Sequence, residues 1–268
     1  MGRLRGTPGY PGLPWTARNA VTNVVLHTKR LDEPLRWHKQ RTVFVCSMAD
    51  LFHEQVPDEF LDRVFAAMAL APRHTFQVLT KRPERMRGYL AAARPRIAEA
   101  IRVMGGCTFG ASVMFYVADL ADSVLGLAGT AHGDEWPLPN VWLGTSAEDQ
   151  ERANERIPLL IGTPAAVHFV SLEPLLGPIV LPDGWIPKGL RGGPRLDWAL
   201  IGGESGPQAR LMDIAWARSL VAQCRAAGVT PFCKQLGSVW ARQNGSTDSH
   251  GGNIAEWPDD LQVREWPA

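Results

Sequence analysis

Cysteine is scarce in this sequence, and the little there is does not cluster. Four residues, Cys46, Cys107, Cys224 and Cys233, are spread over 268 positions. No two fall within the short gaps that zinc sites and iron–sulfur clusters use, so no metal-binding set is visible. Cys46, Cys224 and Cys233 sit in apolar patterns and read as reduced core residues. Long hydrophobic runs are missing as well. No stretch could span a bilayer, and the opening Met-Gly-Arg-Leu-Arg-Gly-Thr-Pro lacks an apolar signal-peptide core. The expectation is a soluble, cytoplasmic protein with no membrane association. Net charge is nearly absent too: 28 Lys+Arg against 27 Asp+Glu give +1, so no global field favours nucleic acid or anionic lipid. Familiar nucleotide motifs are absent. Gly202-Gly203-Glu204-Ser205-Gly206 is neither G-x-G-x-x-G nor G-x-S-x-G, and it lacks the Lys-Ser/Thr of a P-loop.

What is there is a repeated unit. Short apolar runs begin near positions 43, 75, 141, 167, 197 and 230, at intervals of 32, 66, 26, 30 and 33 residues. Helical patterns follow several of them: Phe60, Leu61, Val64, Phe65 and Met68 after the first, and Ile214, Ala217, Leu220, Val221 and Cys224 after the fifth. Gly228 suits the C-cap of that last helix. A βα unit takes roughly 30 residues. The steady period therefore predicts an α/β fold, a partial parallel βα barrel of six or seven strands, TIM-barrel-like but too short to close. An open doubly wound sheet is the alternative.

The expected organisation is a single domain with additions. Residues 1–41 form a basic Gly/Pro-rich arm, with eight Lys/Arg against Asp32 and Glu33. Residues 42–237 hold the partial barrel, with an insertion at about 105–139 in the double-length interval. Residues 238–268 make an acidic tail. Within the arm, Val24–His27 reads as a short strand and Leu31–Trp37 as a turn or short helix interrupted by Pro34. Pro95 is expected to kink or split the helix that starts at Glu84.

Candidate functional residues follow from one regularity: in every unit the polar residues come after the apolar run. Ser47 and Asp50, then Thr80, Lys81 and Arg82, then Ser146 and Glu148, then Glu173, then Gly202, Gly203, Glu204 and Ser205, then Lys234 and Gln235, would share one rim if the strands are parallel. That rim is where α/β proteins build sites. Capping is the bland role for Asp50, Ser146 and Ser205. Glu173, fixed in extended backbone before a proline, and Glu204, flanked by glycines, suit holding an amino group, a ribose hydroxyl or a proton. Gly202 and Gly203 suit a tight turn or a close approach to the backbone. Lys81 and Arg82 suit a carboxylate or phosphate. Asp50, His53 and Glu54 are too few for a metal site, and none is expected.

Five strings taken in order carry a resemblance. Val43-Phe-Val-Cys-Ser-Met-Ala-Asp-Leu-Phe-His-Glu54 and Thr75-Phe-Gln-Val-Leu-Thr-Lys-Arg-Pro-Glu-Arg-Met86 come first. Asn140-Val-Trp-Leu-Gly-Thr-Ser-Ala-Glu-Asp-Gln150, Phe169-Val-Ser-Leu-Glu-Pro-Leu-Leu-Gly-Pro178 and Ile201-Gly-Gly-Glu-Ser-Gly-Pro207 follow. From about Gly6 to Gly237 the chain resembles an uncharacterised phage and bacterial protein family. Full-length members of that family are similar to radical S-adenosylmethionine enzymes, with an N-terminal three-cysteine motif ahead of a partial βα barrel. The resemblance implies a [4Fe–4S] cluster and S-adenosylmethionine as cofactors; the chain's own residues support neither. Its Gly/Pro-rich start looks like the segment after the three-cysteine loop. The expectation is a chain truncated at its N-terminus, or one that has lost the cluster. In that superfamily a Gly-Gly-Glu element holding the cofactor's amino group follows an early strand, whereas Gly202–Glu204 follows a late one. The alternative function is a non-catalytic module that binds a nucleotide, a nucleic acid or a partner protein at the rim.

Overall fold

A computed structural model describes residues 13, 16–46, 49–109, 114–127, 129–131, 133–182 and 195–267. The six expected strands are all present: β1 Thr42–Val45, β2 Thr75–Thr80, β3 Val141–Ser146, β4 Val167–Leu172, β5 Trp198–Gly202 and β6 Thr230–Gln235. They run parallel and neighbour one another in sequence order, the winding of a βα barrel that stops short of closure. Helices are α1 Ala20–Asn23 (a single turn), α2 Asp58–Ala69, α3 Pro83–Phe109, α4 Met114–Leu125, α5 Gln150–Ile161, α6 Ile214–Ala227 and α7 Ser238–Asn244. Among the described residues no helix is long and apolar enough to cross a membrane.

Three local expectations change. Val24–His27 forms no strand. Pro34 lies in the first turn of a 3₁₀ helix, Glu33–Arg36, where its missing N–H costs nothing, instead of interrupting one. Pro95 does not split α3, which runs through it as 27 continuous residues. A helix-interior proline costs about 3 kcal/mol. Ile97 and Ile101, both fully buried just beyond it, contribute about 1.5–3 kcal/mol each, so packing outweighs the break.

The chain divides into two compact units, residues 1–78 with 88–141 and residues 79–87 with 142–268. In the first, α2 buries Leu61, Val64, Phe65 and Met68. Asn140 ties the end of α2 to the turn before β2: its side-chain amide donates to the carbonyls of Met68 (2.9 Å), Ala71 (3.3 Å) and His74 (3.1 Å). Asp62 is buried and accepts from Tyr89 Oη (2.8 Å) and Arg96 Nε (3.1 Å).

In the second unit, β3, β4 and β5 are buried on both faces, and β6 alternates between buried and half-buried over its first four residues. Leu143, Val170, Ile201 and Cys233 lie on one face of their strands and are buried, as are Ile157, Leu160, Leu220 and Cys224 of α5 and α6. The other face carries an aromatic cluster centred on Trp198, whose ring lies 5.8 Å from Trp142, 5.9 Å from Phe169 and 5.6 Å from Phe232. Gly144 makes room for it: a Cβ there would stand 2.4 Å from the Phe169 ring. Asp149 caps α5 by accepting from the Arg152 N–H, and Asp213 caps α6 by accepting from the Ala215 N–H. Ser146 and Ser205, expected as possible caps, are not the cap residues of these helices. Gly228 takes the left-handed C-cap of α6 as expected, with φ 72°. The last residues cover the outer edge of β6. Cys233 N–H donates to Val263 O, Glu265 N–H donates to Pro231 O, and Trp198 Nε1 donates to Glu265 O. Trp266 then packs on Trp198 at 4.9 Å.

Candidate binding site at the strand ends

The strand ends of the second unit gather most of the expected residues, and each carboxylate there has a cation of its own. At the end of β2, buried Thr80 accepts the Arg82 N–H on its hydroxyl (2.9 Å) and the Thr145 hydroxyl on its carbonyl (2.9 Å). Lys81, the next residue, reaches Glu148 at 2.5 Å. Glu148 also faces Arg156 at 3.4 Å, and Arg156 donates to the carbonyl of Ser146 at the end of β3 (2.9 Å). Because α5 carries Arg156 two turns past its N-cap, helix geometry brings it back over the end of β3.

Glu173 follows β4 and forms a cis peptide with Pro174. Its carboxylate accepts from Lys234 Nζ (2.8 Å) and Gln235 Nε2 (2.7 Å) at the end of β6. It lies across β5, where a Cβ on Gly202 would be 3.2 Å from the Glu173 side chain. Gly202 is therefore small to admit a carboxylate. Gly203 is small for another reason: a Cβ would stand 2.5 Å from the Leu236 carbonyl oxygen. There the close approach is by the neighbouring strand end, and Gly203 N–H donates to Gln235 O while Gln235 Nε2 donates to Gly203 O (both 2.9 Å).

Glu204 is gripped by Arg210 through Nε (2.7 Å), Nη2 (3.0 Å) and the backbone N–H (2.9 Å). Those bonds hold its carboxyl down at about 2, against an ordinary 4.5. Ser205 beside it is exposed. One residue step below the rim, on the same strand face, the register aligns Ser146, Ser171, Leu200 and Phe232. The two serines are buried while Leu200 and Phe232 are half-buried. The result is a charged rim above a floor that is partly hydroxyl and partly apolar.

Two expected residues lie apart from this description. Ser47 falls outside the described residues. Asp50 belongs to the first unit, where its carboxylate accepts the Phe52 N–H (2.9 Å) in a local turn. Sequence reasoning missed Arg156 and Arg210, which follow no apolar run. Their signal was spacing: a cation eight residues after Glu148 on a helix, and one six residues after Glu204 in a loop.

The cysteines do not offer a cluster its ligands. A [4Fe–4S] centre takes convergent thiolates of lowered pKa. Burial instead pushes Cys224 up to about 12 and Cys233 up to about 11. Cys46 is not the core residue expected: it sits in the turn just after β1 and is exposed as a residue, yet burial of its thiol, aided by Asp50, pushes it to about 11 as well. Cys107 is exposed on α3. Among the described residues no three His, Cys, Asp or Glu side chains are grouped to hold a metal ion.

Residues 5–259 match a family described as protein of unknown function (DUF5131). The chain belongs to that family. The match contains every residue of the rim, from Lys81 to Gln235, so the rim lies within the family's own span. The family description says nothing of phage origin, S-adenosylmethionine or iron–sulfur chemistry. No curated protein and no solved structure matches the chain.

Proposed function

We propose that this chain is a βα-barrel protein that binds a small zwitterionic ligand at the strand-end rim of its second unit. The observation that carries this reading is the rim's pairing of charge. Glu148, Glu173 and Glu204 each hold a cation whose side chain is more than half exposed: Lys81, Lys234 and Arg210. Each such pair is worth no more than about 1 kcal/mol at a solvated surface. An ammonium group can therefore take the place of Lys234 on Glu173, while the released lysine turns to the ligand's carboxylate. Glu173 is the better ammonium site: its side chain is 16% exposed against 27% for Glu204, and Glu148, at 13%, keeps the less exposed Arg156 beside it whether or not Lys81 leaves. Leu200 and Phe232 beneath it suit an apolar or aromatic portion.

S-adenosylmethionine, the ligand suggested by the resemblance to radical S-adenosylmethionine enzymes, has this chemistry: an amino acid head, a sulfonium and an adenine. The cluster that would cleave it asks for thiolates that the described residues do not group, so the reading stops at binding. A second reading, a phosphate-bearing nucleotide or nucleic acid, is favoured by the exposure of Lys81, Arg210 and Lys234 on one rim.

Calorimetric titration with S-adenosylmethionine, S-adenosylhomocysteine and ATP tests both. The expected outcome is binding of the two amino-acid-bearing ligands, weakened at least tenfold by Glu173→Gln with an unchanged thermal midpoint. Tighter binding of ATP with steep salt dependence would favour the second reading. Binding that ignores Glu173→Gln and Glu204→Gln alike would remove the rim from consideration.

A further inference from the structure

The first unit contains an open strand edge beside an apolar cavity. β1 is the end strand of the sheet. Thr75 N–H donates to Arg41 O, so residues 41, 43 and 45 direct their backbone polar groups toward β2. Thr42 and Phe44 consequently turn their N–H and C=O groups to the other side, where no strand pairs with them among the described residues. Both residues are exposed, Phe44 at 43%. An exposed edge carrying a large apolar side chain is a template for another strand.

The cavity has about 320 Å³ of space and lies between β1, α2 and the Glu33–Arg36 turn. Val43, Val45, Leu51, Phe60, Val64 and Met68 form its apolar wall. Its size is at the lower end of ligand pockets, roughly 300–1,000 Å³. Val43 and Val45 line it from the face of β1 that they share, and Phe44 lines it as well. A strand added along the edge would send alternate side chains to that same side.

Ahead of β1 the charge left over from ion pairs is positive. Arg30 is paired with Glu33 and Arg36 with Asp32, which uses the acids of this segment. Lys29, Lys39 and Arg41 are exposed and in no ion pair among the described residues; Arg41, which leads directly into β1, packs over the Trp37 ring at 4.6 Å.

We propose that the β1 edge and this cavity form a docking site for an extended peptide with one large apolar side chain flanked by acidic residues. The backbone of Thr42 and Phe44 supplies the pairing, the cavity takes the apolar side chain, and Lys39 and Arg41 meet the flanking carboxylates. This is strand addition, in which main-chain bonds give affinity and alternate pockets give selectivity.

The test uses the full chain and a fluorescein-labelled peptide, Asp-Asp-Thr-Val-Phe-Val-Thr-Asp-Asp, followed by fluorescence anisotropy. The expected result is saturable binding at micromolar concentrations that slows thiol labelling of Cys46, which also lines the cavity. Replacing the peptide's Phe by Ser should weaken binding at least tenfold, as should replacing its Asp residues by Lys. Ala67→Phe, which fills the cavity from α2, should abolish binding. Lys39→Glu, a surface change outside the core, should weaken it several-fold and flatten its salt dependence. No binding at millimolar peptide, or equal binding of the lysine peptide, would overturn the proposal. So would a concentration-dependent dimer in sedimentation that blocks the edge, because a second copy would then be the occupant.

Discussion

Gly203→Ala should separate a packing role from a binding role at the rim. The new Cβ would meet the Leu236 carbonyl oxygen at 2.5 Å, its carbon at 2.7 Å and Gly237 Cα at 2.9 Å. All three are backbone atoms, so relief requires β5 and β6 to part at their ends. Overpacking of this kind costs about 1–3 kcal/mol. Parting also loosens the two hydrogen bonds between Gly203 and Gln235, each worth about 1 kcal/mol. Against this, alanine restricts the unfolded chain and returns about 0.4–1 kcal/mol. Strain wins, with a net loss of about 2–4 kcal/mol. At roughly 2 °C per kcal/mol for a chain of this size, the thermal midpoint should fall by about 4–8 °C. Gly202→Ala is the control. The nearest atoms to its Cβ would be those of the Glu173 side chain, at 3.2 Å, and that side chain can swing aside. Its midpoint should stay within about 2 °C, while ligand binding at Glu173 weakens. Calorimetry of the two variants decides the matter. Equal midpoints would show that the strand ends are not packed as described, and the reasoning about Gly203 would fail.

Asn140 offers a test of sign. Asn140→Ala removes donors to three carbonyls, two of which have backbone partners already, and should cost about 1–2 kcal/mol. Asn140→Asp should cost more, because an acceptor-only carboxylate would face the same three oxygens; a milder effect for Asp than for Ala would refute this geometry. Glu204 has a folded pKa below its unfolded value, so its bond to Arg210 contributes fully above about pH 4.5 and is lost as pH falls through about 2. A carboxyl carbon NMR titration should show that midpoint, and Arg210→Gln should return it toward 4.5; a native midpoint near 4.5 would contradict the pairing.

Much of this architecture was legible in the sequence, for a simple reason. Each strand is a short apolar run bounded by breakers, and parallel order forces all run ends to one side. The starts at 42, 75, 141, 167, 198 and 230 lie within one residue of those expected. The same order explains why Lys81, Glu148, Glu173, Gly202, Glu204, Lys234 and Gln235 could be nominated together. What escaped was tertiary. Pro95 argued locally against a continuous helix, and only the burial of Ile97 and Ile101 overrules it. Asp149 and Asp213 took the capping roles considered for Ser146 and Ser205, since a cap is chosen by where the helix starts and not by which hydroxyl is near. Arg210 lies in a loop without periodicity, so no pattern announced its grip on Glu204.

The short segment that runs alongside β6 has a consequence for how the protein survives in a crowded solution. Val263 and Glu265 occupy backbone groups of β6 that would otherwise face outward, and Trp266 covers the aromatic cluster at Trp198. Uncovering that margin would expose a row of unpaired amides next to a large apolar surface. Such a combination invites neighbouring molecules to stack edge to edge. A handful of residues with no regular secondary structure of their own thus guards the chain against aggregation.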